Sequence, residues 1–175
     1  MSGQVAAMIR NLVKGAVSGV IATGAMSAVM VAGDRVGLMG EHPPKRIARA
    51  VLPGPKHRPK KGEGVLGAVA HFAFGSACGG LFAAAVARRE PRVPLGVAYG
   101  LAIWAVSYQG WLPGMGILPP IHRDRPDRQA VMAAGHAIYG TALVLALNGL
   151  RRGDRSPRHP PSLSPDPVTA GRATP

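Results

Sequence analysis

The stretch Gly64–Ala87, GVLGAVAHFAFGSACGGLFAAAVA, contains no Asp, Glu, Lys or Arg. An α-helix rises about 1.5 Å per residue, so about 20 residues cross a hydrocarbon core about 30 Å thick. The stretch has that length. A helix of a water-soluble bundle would show solvent a charged face, and none exists here. The stretch therefore reads as a transmembrane span.

Three further runs share the property: Gly15–Gly33 (GAVSGVIATGAMSAVMVAG), Val93–Ile121 with its hydrophobic body at Pro94–Leu112, and Gln129–Leu150. The expected fold class is all-α: a polytopic membrane protein built as a four-transmembrane-helix bundle. Its spans fall at about 15–33, 64–87, 94–112 and 129–150, within a membrane domain over 15–150. Residues 1–14 form a short basic N-terminus, 34–63 a polar loop, and 151–175 a Pro-rich tail expected to be disordered. The first run competes with a cleaved signal peptide. It is longer than a usual h-region and no clear small-x-small site follows, so it reads as a retained span.

The 175 residues suit one domain, and an apolar content of 47% would by itself fit a soluble globule. The distribution argues otherwise, since nearly all the charge lies between the four runs. A net charge of +13 raises nucleic acid as a partner. The cationic segments lack interleaved aromatics for base stacking. Lys and Arg flank the runs, where anionic headgroups lie. The expected partners are the lipid bilayer and anionic lipid headgroups, with a homo-oligomer left open and nucleic acid excluded. Cys78 is the single cysteine, so no intramolecular disulfide can form.

The positive-inside rule is nearly silent, because Lys and Arg are balanced between the two sides. Arg88-Arg89 and Arg151-Arg152 read as abrupt helix stops, and Arg10 with Lys14 flanks the first run. These tilt the orientation to both termini in the cytoplasm of a bacterial inner membrane.

An internal echo bears on architecture. Aligning His57 with His122 also aligns Pro55 with Pro120, Arg58 with Arg123, His71 with His136 and Gly75 with Gly140. A second echo joins MGEHPP, Met39–Pro44, to MGILPP, Met115–Pro120. The simplest reading is two tandem two-helix repeats, the first holding an insert, KRIARAVLPGP. The copies would be parallel, related by an axis along the membrane normal. Pro43-Pro44 and Pro119-Pro120 each mark a span end or an interfacial turn. KRIARAVL is either a short interfacial amphipathic helix or a solvated loop.

Helices in lipid associate through close backbone approach and polar contacts. Gly15 with Gly19, Gly75 with Gly79, and Gly96 with Gly100 each place two notches on one helix face, and Gly140 stands beside His136 in the same way. The expectation is a tight bundle with little internal room. His57, Arg58, His122 and Arg123 are read as interfacial anchors, and Trp104, Tyr108 and Trp111 as an aromatic girdle.

His71 and His136 are the candidate intramembrane polar pair, at similar depth. Ionisable residues inside a span are functional candidates by default. They could form a proton-responsive pair, ligate haem or a metal, or hydrogen-bond as neutral rings across helices. No carboxylate or thiolate cluster supports a ligand set, so the expected cofactor and metal content is none, with haem or a metal at His71 and His136 as an alternative. No G-x-S-x-G, P-loop or H-E-x-x-H motif appears, so no catalytic residue is assigned and no enzyme is expected.

The segment GMGILPPIHRDRPDRQAVMAAGHAIYG resembles the YagU-like group of small bacterial inner-membrane proteins, a family of unknown function. The resemblance rests on an aromatic third span, a G-x-x-P-P turn at Gly116, Pro119 and Pro120, and G-H-x-x-[YW] at Gly135, His136 and Tyr139. It implies a multi-span inner-membrane fold and supplies no reaction. The long insert and the Pro-rich tail depart from it. The leading expectation is a non-enzymatic integral membrane protein in envelope or stress physiology. The alternatives are a subunit of a small transporter or channel with a proton-responsive histidine pair, and a haem- or metal-binding membrane protein.

Overall fold

The computed structural model describes residues 2–39, 43–55, 58–87 and 89–154. Every regular element among them is helical: α1 (Ser2–Arg35), α2 (Pro43–Val51), α3 (Glu63–Ala85), α4 (Val93–Ala105), a π-helix (Val106–Trp111), α5 (Leu112–Gly114), a 3-10 turn (Ile121–Arg123) and α6 (Pro126–Gly153). Expectations for His57, Arg88 and the tail beyond Asp154 lie outside the described residues.

Three helices, α1, α3 and α6, are long and apolar enough to cross a membrane. The expected third span is not a fourth such helix. It is helical from Val93 to Gly114 but broken into α4, a wider π-turn and α5. The causes are local. Ser107 Oγ donates to the Ile103 carbonyl at 2.7 Å, competing with the backbone ladder there. Pro113 has no N–H to return to the preceding turn.

Three other expectations are corrected. α1 starts at Ser2, not Gly15, and carries Arg10 and Lys14 within it. Arg151-Arg152 do not stop the last helix, which runs through both to Gly153. Arg is a good helix former, and its charge suits a helix C-terminus. Of the two readings of KRIARAVL the helix holds, as α2, and the correction is that Pro43-Pro44 opens this helix. Proline breaks a helix interior but is preset for its first turn.

α1 packs against α3 and α6, α6 also packs against α4, and α2 packs against α3. The seams are backbone contacts. A Cβ on Gly19 would overlap the Gly75 carbonyl, and one on Gly79 the Gly15 carbonyl. On the other seam, a Cβ on Gly140 would overlap the Gly96 carbonyl, and one on Gly100 the His136 carbonyl. α3 and α4 meet more loosely. Tyr99 Oη donates to the Cys78 carbonyl at 2.8 Å, and its ring lies 4.9 Å from that of Phe82.

The interior holds small and polar residues, with Ser18, Thr23, His136 and Arg151 all buried. Large apolar side chains such as Val17, Ile21, Val69 and Leu81 face outward. They do so alongside a buried core of Met26, Phe82, Leu143 and Leu147, and an outer surface this apolar suits lipid as the solvent.

The two ends of the bundle are polar. At one, Arg151 donates to the carbonyls of Ala87 (2.6 Å) and Arg89 (2.5 Å) and to Asn11 Oδ1 (2.6 Å), capping the C-terminus of α3. Lys14 Nζ donates to the Leu150 carbonyl at 2.9 Å and pairs with Asp154 at the end of α6. Cations at helix C-termini satisfy carbonyls that the helix itself leaves free. At the other end, Arg49 on α2 grips Glu63 with two bonds of 2.7 and 2.6 Å. Asp124 and Arg128 form a second, buried ion pair there.

Candidate functional site

A cavity of about 280 Å³ opens inside the half of the bundle that α2 covers. Thr23, Met26 and Met30 of α1 line it on one side, and Met132, His136 and Tyr139 of α6 on the next. α3 supplies His71, Phe74 and Cys78, and the broken segment supplies Ile103, Ser107, Trp111 and Leu112. Pro43, Pro44 and Ile47 of α2 form its cover. The expectation of a bundle with little internal room is therefore corrected. The reason is the unequal seams: glycine notches close α1 on α3 and α4 on α6, but no such notch closes α3 on α4.

The cavity brings His71 and His136 to one site. His136 is 7% exposed, and its Nδ1 lies 2.8 Å from the Met132 carbonyl one turn back. A carbonyl can only accept, so Nδ1 carries the proton of the neutral ring and Nε2 presents a lone pair. His71 Nε2 is buried with no hydrogen-bond partner. Neither imidazole bonds across helices, so the reading of the pair as interhelical glue is not what the geometry presents.

The other polar groups of the wall are already engaged. Thr23, Ser107 and Tyr139 donate their hydroxyl protons to the carbonyls of Gly19, Ile103 and Gly75, each at 2.7 Å. What remains for a ligand is the His136 Nε2 lone pair, with the Trp111 indole N–H and the weak Cys78 thiol also in the lining. Phe74 and Trp111, 47% and 41% exposed, stand where the cavity meets the outer face between α3 and the broken helix.

The cover is held electrostatically. Glu63 takes two bonds from Arg49 and one from the Lys60 amide at 2.9 Å, just ahead of the apolar run that begins at Gly64. The Arg49 guanidinium, and after it the Lys60 amide, hold the Glu63 carboxyl down at about 2. Lys60 Nζ closes the other end of the insert, donating to the carbonyls of Arg49 at 2.7 Å, Gly54 at 3.0 Å and Leu52.

The remaining sequence candidates fall elsewhere. Gly15, Gly19, Gly75 and Gly79 lie on the α1–α3 seam, and Gly96, Gly100 and Gly140 on the α4–α6 seam. Arg58, His122 and Arg123 are exposed outside the apolar runs. Trp104 does not point outward as a girdle residue would. It is half-buried, with its ring 5.9 Å from that of Tyr108. Sequence reasoning missed Arg49, Lys60, Glu63, Asp124, Arg128 and Arg151. Asp124 and Arg128 stand at i and i+4, a spacing that could have flagged them. Nothing in the sequence pairs Arg49 with Glu63 or Arg151 with the end of α3.

Among the described residues no three His, Cys, Asp or Glu side chains converge on a metal position.

No curated protein and no solved structure matches the chain. Nothing in the family match points to the YagU-like group specifically; the matching family shares with that expectation an unknown function. The chain belongs to the family of unknown function DUF6789, which matches residues 9–156.

Proposed function

We propose that this protein is a non-enzymatic, four-span membrane protein that holds a small molecule in the cavity around His71 and His136. The carrying observation is the cavity itself, with the His136 Nε2 lone pair free of any protein donor in a largely apolar wall. Tightly packed interiors rarely contain voids larger than a water, and the few large ones tend to be sites.

The fourth crossing is assigned to the α4–π–α5 segment. Helical from Val93 to Gly114, it extends on the order of 30 Å and lies against α6 throughout its first half. A π-turn inside a membrane helix is tolerated where neighbours and side chains satisfy the freed groups, as Ser107 does here. The duplication is assigned on the matched roles of Gly75 and Gly140. Each lies against a glycine of the preceding long segment, Gly19 or Gly96.

The compartment is a bacterial inner membrane with both termini cytoplasmic, in a role within envelope or stress physiology. Anionic headgroups meet Arg58, His122 and Arg123, and a homo-oligomer forms through the outward apolar faces. Nucleic acid is not a partner. A transport role is the second reading. It is favoured by the α2 cover, which one bidentate ion pair ties to α3. A haem or metal at the two histidines is the weakest use of this geometry.

The test is native mass spectrometry of protein released from its own membranes. Wild type should carry a bound small molecule, and Ile103→Trp, which fills the cavity, should not. Equal spectra from both proteins, with unchanged helical content, would remove the cavity from the function.

A further inference from the structure

We propose that the ligand of this cavity is a hydroxyl-bearing, otherwise apolar molecule of the phenol or alcohol class, its hydroxyl donating to His136 Nε2. This rests on the reading of the cavity as a binding site and goes on to its chemistry.

The size sets the scale of the ligand. A cavity of about 150 Å³ accommodates benzene. One of about 280 Å³ accommodates a two-ring body. The methionines Met26, Met30 and Met132 adapt to a flat apolar shape without imposing a rigid outline.

The head group follows from the tautomer. The Met132 carbonyl holds the His136 proton on Nδ1, so Nε2 can only accept. A ligand carbonyl or ether would set lone pair against lone pair. A hydroxyl supplies the donor that Nε2 lacks. An ammonium would also donate, but no carboxylate lines the cavity to offset its charge. A carboxylate would meet the same His136 lone pair. A lipid acyl chain would leave the His136 Nε2 acceptor unsatisfied, at the cost of a desolvated polar group.

The route of entry agrees with an apolar body. Phe74 of α3 and Trp111 of the broken helix both line the cavity and are exposed, which gives it an apolar, aromatic rim. A membrane-dissolved molecule reaches the cavity there, and α2 covers the aqueous side.

The test uses the full chain in lipid nanodiscs, with protein-free nanodiscs as the partition control. Three probes share one ring system: 1-naphthol, 1-methoxynaphthalene and naphthalene. Wild type should bind 1-naphthol about tenfold more tightly than either of the others, the size of one hydrogen bond to a buried acceptor. His136→Phe should bring the three affinities together. Equal affinities for all three probes on wild type would overturn the hydroxyl assignment and leave the cavity reading standing. A naphthol preference that survives His136→Phe would overturn the assignment to Nε2. No binding above empty nanodiscs would overturn both readings. Should His136→Phe fail to assemble, the probe series on wild type still decides the hydroxyl question. His136→Gln, which keeps an acceptor oxygen, should then retain part of the preference; equal probe affinities in that variant would overturn the Nε2 assignment.

Discussion

Tyr139 on α6 donates its hydroxyl proton to the backbone carbonyl of Gly75 on α3 at 2.7 Å, reaching a helix whose main seam is with α1. The bond crosses the floor of the cavity and ties the two histidine-bearing helices together. Both residues are buried. Tyr139→Phe should lower stability by about 1 kcal/mol, the usual range for a hydrogen bond between membrane helices. Unfolding midpoints in mixed micelles check this.

Gly75→Ala should cost more than Tyr139→Phe. The added methyl would overlap Thr23 Oγ1 on α1. Overpacking a close seam costs about 1–3 kcal/mol. Removing the obstruction, as Gly75→Ala with Thr23→Ala, should recover part of the loss. A double-mutant cycle on thermal midpoints measures the coupling. Additive losses would place the clash elsewhere.

Arg151→Ala should destabilise by about 2–3 kcal/mol, because it leaves the carbonyls of Ala87 and Arg89 without their charged donor. Arg151→Lys should recover only part of this, since an ammonium cannot reproduce the guanidinium fork that also holds Asn11. Amide hydrogen exchange should speed up in the last turn of α3 and leave α4 unchanged.

Docking of α2 should depend on acid. The Glu63 carboxyl titrates at about 2 in the folded chain against an ordinary value of 4.5. A lowered carboxyl pKa adds stability that is present above the ordinary value and is lost as pH falls through the folded one. Spin labels at Val51 and Leu66, both exposed, should keep one short separation at pH 6 and spread between about pH 4.5 and 2. Glu63→Gln should show the spread distribution already at pH 6.

The legible part of this fold was the part written in local chemistry. The long charge-free runs predict α1, α3 and α6, and the glycine pairs predict which faces touch. The histidines at matched positions do come to one site, though the cavity between them contradicts the tight packing those runs suggest. Other features depend on contacts between distant residues or on subtle local competition. Arg49 and Glu63 look like ordinary loop charges until α2 folds back. Pro43-Pro44 reads as a terminator, although proline starts a helix as readily as it ends one. The π-turn at Val106–Trp111 leaves no periodic trace, since its neighbours are apolar on all sides. The cavity is a property of how four seams differ in tightness, which no single segment encodes.

The central claim is that the broken segment Val93–Gly114 crosses the bilayer as a fourth span. Single cysteines at Glu90, ahead of α4, and Asp127, in the first turn of α6, flank it in a Cys78→Ala background, and acidic residues contribute little to orientation. Labelling by a membrane-impermeant maleimide in sealed vesicles of one orientation should reach one site and not the other. Labelling of both sites, or of neither until the vesicles are opened, would place the two on one side and contradict the four-span account.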